Sequence, residues 1–165
     1  MQKRALVLAT VIAGVGVSGN PAQAATANNT LGVTMTINAG CTVTAGTLAF
    51  GTQTSLQSSV DQSATISVTC TNTTPYSIGL DAGANSASVT TRKMKGGGNN
   101  TEYVNYNLYR DAARTGNWGT TAGSNELPGT GNGAAQVITV YGRVPAQTIG
   151  SPGSYSDTVN IVLTY

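Results

Sequence analysis

Gly153-Ser-Tyr-Ser-Asp-Thr-Val-Asn-Ile-Val-Leu-Thr-Tyr165 is the stretch whose reading decides the fold. In an extended chain Tyr155, Asp157, Val159, Ile161, Leu163 and Tyr165 fall on one face, and Ser156, Thr158, Asn160, Val162 and Thr164 on the other. The first face becomes apolar from Val159 onward, the period-two pattern of a half-buried β-strand. Such a strand presents rows of N–H and C=O groups that template pairing on both sides. The expectation is a single strand over residues 153–165. No later segment of the sequence covers it, whereas the opposite end of the chain offers a strand-like segment free to pair.

Working outward, the whole chain reads as all-β. Only 8% of its 165 residues are charged and 5% aromatic. Disorder usually couples low hydrophobicity to high net charge, and here Val, Ile and Thr stand in alternating runs punctuated by Gly, Asn and Pro, the signature of a sandwich with long turns. Residues 63–71 place Ala64, Ile66, Val68 and Cys70 inward, and Pro75 opens a segment in which Tyr76, Ile78 and Leu80 share a face. Residues 102–110 set Val104, Tyr106 and Leu108 against Tyr103 and Tyr109, and residues 135–144 put Ile138, Val140 and Val144 together. Residues 41–50 read as strand, 52–61 as polar loop, and 111–128 as a long connection carrying Trp118 on the rim of the core. Arg92-Lys-Met-Lys95 is the one basic cluster, and its default is a solvated strand edge.

The beginning of the chain is a targeting segment rather than fold. Lys3 and Arg4, the apolar residues 5–17 and the small-x-small triplet Ala22-Gln-Ala24 predict a secretory signal over residues 1–24. Setting Lys3 and Arg4 aside leaves six of the eight basic residues against six acidic ones, so the exported chain is formally neutral. Neutrality favours self-association and removes the electrostatic basis for binding nucleic acid. In an exported protein the two cysteines, Cys41 and Cys70, read as a disulfide.

Residues 31–39 alternate as cleanly as the final stretch, with Leu31, Val33, Met35, Ile37 and Ala39 on one side and Gly32, Thr34, Thr36 and Asn38 on the other. Two readings fit: an ordinary first strand of the sandwich, or a strand that leaves its own domain and pairs with another copy.

Catalysis is not indicated. The chain has no His, its cysteines are paired, and Asp61, Asp81, Glu102, Asp111, Glu126 and Asp157 form no local motif. No metal, cofactor or catalytic residue is expected, and the chain is read as a non-enzyme. A secreted carbohydrate-binding module stacking sugars on Trp118 is the alternative binding function.

Tyr106-Asn-Leu-Tyr-Arg-Asp111 leading to Trp118-Gly119, then Val140-Tyr-Gly-Arg-Val-Pro145, then Gly153-x-Tyr-x-Asp-Thr-Val-x-Ile-x-Leu-Thr-Tyr165 resemble the spore coat protein U domain, a family that includes major subunits of archaic (Csu-type) chaperone–usher pili. Cys41-Thr-Val43 and Cys70 match its disulfide. The resemblance implies an incomplete immunoglobulin-like β-sandwich lacking its last strand, with residues 41–165 as the domain and residues 25–40 as a donor-strand extension. It implies that Val159, Ile161, Leu163 and Tyr165 line a groove, filled first by a periplasmic chaperone and then, at an outer-membrane usher, by Leu31, Val33, Met35, Ile37 and Ala39 of an identical or homologous subunit arranged head to tail. The implied product is a cell-surface fibre for adhesion and biofilm, exported through the periplasm. A rod subunit fits better than a two-domain tip, and a protective spore or outer coat is the family's other use.

Overall fold

β-branched residues alternating with small polar ones favour pleated, half-buried strands, and that pattern organises the computed structural model, which describes residues 23–148 and 150–165. The predicted secretory signal lies, but for its last two residues, outside the described residues. The chain divides into two compact units, residues 1–36 and 37–165. In the first, residues 23–36 carry no regular secondary structure, and Leu31, Val33 and Met35 are largely exposed.

The second unit contains nine strands and, among the described residues, no helix. They are β1 (Cys41–Ala45), β2 (Val60–Cys70), β3 (Pro75–Leu80), β4 (Arg92–Gly96), β5 (Glu102–Tyr109), β6 (Leu127–Thr130), β7 (Ala135–Val144), β8 (Tyr155–Ser156) and β9 (Ile161–Thr164). A six-stranded sheet runs β1-β2-β7-β5-β4-β8 and a three-stranded sheet runs β6-β3-β9, all pairs antiparallel. Ile66 and Val68 of β2, Val104, Tyr106 and Leu108 of β5, and Val140 and Val144 of β7 form the core with Tyr76, Ile78 and Leu80 of β3. The architecture is a β-sandwich with inward residues alternating along each strand.

Cys41 and Cys70 face each other across the β1–β2 ladder and are joined by a disulfide. The bond fastens an edge strand to its one neighbour among the described residues, across a sequence separation of 29. Replacing both cysteines by serine is expected to lower the unfolding free energy by about 3.5 kcal/mol, the loop-closure entropy of the unlinked unfolded chain. Urea unfolding of the oxidised protein and of the double variant checks this.

Four expectations need correction. The final stretch is not one strand. β8 pairs with β4 in the large sheet and β9 with β3 in the small one, and between them the chain crosses the sandwich. The crossing is held by Ala84 N–H donating to Thr158 O and Asp81 N–H donating to Asn160 O. The alternation nonetheless continues through it, with positions 155, 157, 159, 161 and 163 half-buried and the residues between them exposed.

The basic cluster is not a solvated edge: β8 covers β4 at Lys95 and Gly96, and every residue from Arg92 to Lys95 is buried or half-buried. Arg92 is fully buried, and its guanidinium donates to the carbonyls of Asp81 (2.7 Å), Val89 (2.8 Å), Leu80 (2.8 Å) and Trp118 (2.7 Å). Lys93 points the other way, its ammonium 5.6 Å from the centre of the Tyr103 ring.

Trp118 is not on the rim but fully buried, with its indole N–H donating to Ile78 O at 2.8 Å. Its neighbour Gly119 accepts from Leu80 N–H, so this connection bridges the two sheets. Finally, the polar loop before β2 carries a core residue, Leu56, whose carbonyl accepts from Gln147 N–H.

Candidate functional site: an open groove along the last strand

β9 has β3 on one side and no strand on the other among the described residues. Beside it the sandwich is open. A groove of about 1220 Å³ runs between residues 45–54, from the last residue of β1 onward, and residues 150–159 and 161, from the approach to β8 to the first residue of β9. Its floor reaches Ile66, Leu80, Val104, Leu108 and Val140, the core itself. Typical small-molecule sites measure ~300–1,000 Å³ and are concave pockets; this one is larger and meets β9 at its first residue, Ile161.

The groove exists because one wall is made of segments that do not complete a sheet. β1 ends at Ala45, the ladder to β2 continues for one bond from Gly46 N–H to Thr65 O, and residues 47–52 then run without strand pairing. Leu48 and Phe50 still turn inward onto the core, and the Phe50 ring lies 6.3 Å from that of Tyr106.

Polar groups fix the other wall. The Asp157 carboxylate accepts from the Tyr106 hydroxyl (2.6 Å), Ala84 N–H (3.0 Å) and the Asn85 amide (2.9 Å). Burial and then the hydrogen bond to Asp157 push the Tyr106 hydroxyl far above the ordinary tyrosine range, so it stays a donor. Asp81 accepts from the backbone and side-chain amides of Asn160.

The residues expected at the site fall out as follows. Val159 and Ile161 line the groove; Leu163 is half-buried against the same core; Tyr165 is 60% exposed. Leu31, Val33, Met35 and Ile37 are 75–89% exposed and Ala39 is exposed, none of them in a strand. Leu48, Phe50, Tyr106 and the segment Ser151–Tyr155 belong to the groove and were not expected there. The alternation of Leu48 and Phe50 was visible, whereas the wall at residues 151–155 has no sequence pattern of its own. Trp118 offers no stacking platform, since its ring is enclosed and its one donor is engaged. Among the described residues no cluster of side chains suited to a metal is present.

Residues 27–162 match the spore coat protein U domain. The chain is 33% identical over 178 aligned residues to "Protein U" of Myxococcus xanthus, covering 99% of this chain and 98% of that protein. Its fold is similar, at a TM-score of 0.56 and 22% identity, to a chain in the crystal structure of the CsuC–CsuE chaperone–tip adhesion subunit pre-assembly complex from the archaic chaperone–usher Csu pili of Acinetobacter baumannii. That likeness takes in 79% of this chain, which spans 40% of the length of the solved chain.

Proposed function

The chain belongs to the spore coat protein U domain family, and from that premise we propose that it is a structural subunit, not an enzyme, that polymerises head to tail by lending residues 31–39 to the groove of a second copy. The observation that carries the reading is the open apolar groove beside the unpaired edge of β9. An extended segment added there would complete backbone pairing that is otherwise unmet. Nine residues of strand span ~30 Å, and each large apolar side chain buried contributes about 1.5–3 kcal/mol, offset in part by the entropy of ordering the segment.

Folding back onto β1 is blocked for a local reason. Gly40 is already tied to the far end of β2: its carbonyl accepts from Thr71 N–H at 2.9 Å and its N–H donates to Thr71 Oγ1 at 2.8 Å. Cys41 follows at once in β1, leaving no two-residue reversal with which residues 31–39 could double back along their own strand. A head-to-tail contact between different surfaces of identical subunits grows a fibre when its rotation does not close into a ring.

In this reading the subunit is exported with residues 1–24 as its leader, and residues 25–40 form the extension of a domain starting at Cys41. Before assembly the exposed groove is covered by a periplasmic chaperone, an idea supported by the fold likeness to a chain of a chaperone–subunit complex. An outer-membrane usher then exchanges chaperone for subunit, and the fibre serves adhesion and biofilm at the cell surface. A protective coat polymer built by the same exchange is the second reading, favoured by the match of residues 27–162 to the spore coat protein U domain. The test is a synthetic peptide of residues 29–40 added to the full chain as it refolds. Capping of oligomer growth supports the reading; an oligomer ladder indifferent to excess peptide contradicts it.

A further inference from the structure

One end of the groove is walled by the segment Ser151–Tyr155, which is rich in flexible residues: Gly153 lies within it and Gly150 just before. Nothing in its own sequence stiffens it except Pro152. Its far end is paired through Tyr155 with Gly96 of β4, and the rest is held by a side chain of the β4–β5 hairpin. The carboxylate of Glu102, the first residue of β5, accepts from Ser151 N–H (2.5 Å), Ser151 Oγ (2.9 Å) and the Tyr155 hydroxyl (3.1 Å). The same tyrosine hydroxyl lies 2.9 Å from Ser151 O, so one proton serves two acceptors and the carboxylate and loop carbonyl share it. Ser151 Oγ also accepts from Gly98 N–H at the tip of the β4–β5 hairpin.

The backbone is shaped around this contact. A Cβ on Gly150 would collide with the Glu102 carboxylate, and one on Gly97 would press on Ser151 Oγ and the Tyr155 hydroxyl. Glycine at these two positions lets the carboxylate reach the loop. The Tyr155 ring meanwhile packs against the core and lines the groove.

We infer that Glu102 is a positioning residue for strand exchange: its carboxylate clasps Ser151 and Tyr155 and so holds the end wall of the groove ready for the incoming segment of a second copy. The inference rests on the donor-strand reading given above. A wall ordered in advance spares the incoming strand the entropy of ordering it. Without Glu102 the loop keeps its glycines and loses its one charged anchor, so the bound strand is held less long. The hydrophobic core, of which Glu102 is not a member, keeps its stability.

The probe is a fluorescent peptide of residues 29–40 bound to the full secreted chain, with its release rate measured in Glu102→Ala, Tyr155→Phe and the double variant. Loss of a charge-assisted anchor is expected to speed release about tenfold. The double variant should be no faster than the quicker single one, because both changes break one shared contact. Glu102→Gln, which keeps an acceptor oxygen, should recover part of the loss, and the urea midpoint should stay near that of the parent. Gly150→Ala reaches the clasp without altering Glu102 and should reproduce the effect, also serving if Glu102→Ala does not fold. Release at the parent rate in Glu102→Ala and Gly150→Ala, with the parent binding the peptide, overturns the clasp and leaves the donor-strand reading standing. Faster release that tracks a falling urea midpoint, with additive single changes, reduces Glu102 to a structural role. A parent chain that does not bind the peptide at all overturns both.

Discussion

Replacing Arg92 by methionine is expected to remove about 3–5 kcal/mol of unfolding free energy, a large part of the ~5–15 kcal/mol that holds a domain of this kind together. The guanidinium is fully buried and donates to four carbonyls that come from the end of β3, the segment after it, the approach to β4 and the Trp118 connection. Deleting the donor leaves those acceptors in a dry interior, and each buried polar group without a partner costs about 1–3 kcal/mol. Lysine should not rescue it, since three donors radiating from one nitrogen cannot reproduce the spread of a planar fork. Urea unfolding followed by Trp118 emission reports on the same network, as Trp118 O is one of the four acceptors. A loss below about 1 kcal/mol would show that the network can relax around a smaller side chain.

The second large effect is on assembly rather than stability. Met35→Asp is expected to slow the formation of oligomers by a factor of about one hundred or more, because the donor strand would carry an unpaired charge into an apolar groove. Met35 is 80% exposed in the separate chain, so the same change should leave the unfolding free energy of the domain within about 0.5 kcal/mol of the parent. Thr36→Asp is the internal control, one residue along and on the opposite face of the strand. Its effect should be several-fold smaller. Equal effects at positions 35 and 36 would mean that the segment does not enter the groove as a strand with one face buried.

Much of the sandwich was legible because strand patterns are local. Residues 135–144 coincide with β7, and the inward sets Ile66, Val68, Cys70 and Tyr76, Ile78, Leu80 are buried as the alternation implies. What could not be read was set by contacts between distant segments. Nothing near Arg92 separates it from Lys93 and Lys95 as a buried cation; that is decided by carbonyls at residues 80, 81, 89 and 118 converging on it. Trp118 has only polar and glycine neighbours in sequence, yet its place between β3 and β5 buries it. The division of the final stretch between two sheets was hidden for the same reason: alternation fixes which face turns inward but not which sheet supplies the partner.

The groove shows the same division. The inward turn of Val159 and Ile161 follows from period two alone, and so does that of Leu48 and Phe50. The wall at residues 151–155 depends on Glu102, some fifty residues earlier, and its sequence announces only flexibility.

The most direct test compares two forms of residues 25–165, one with residues 29–39 removed and one with those residues moved past Tyr165 on a flexible linker. The shortened form should be poorly stable and prone to associate, and the relocated segment should complete β9 in cis. The second form should then be a monomer with a urea midpoint raised well beyond that of the first. A shortened chain that is already a stable monomer, with no gain from the appended segment, would contradict the claim that this groove is built to receive this strand.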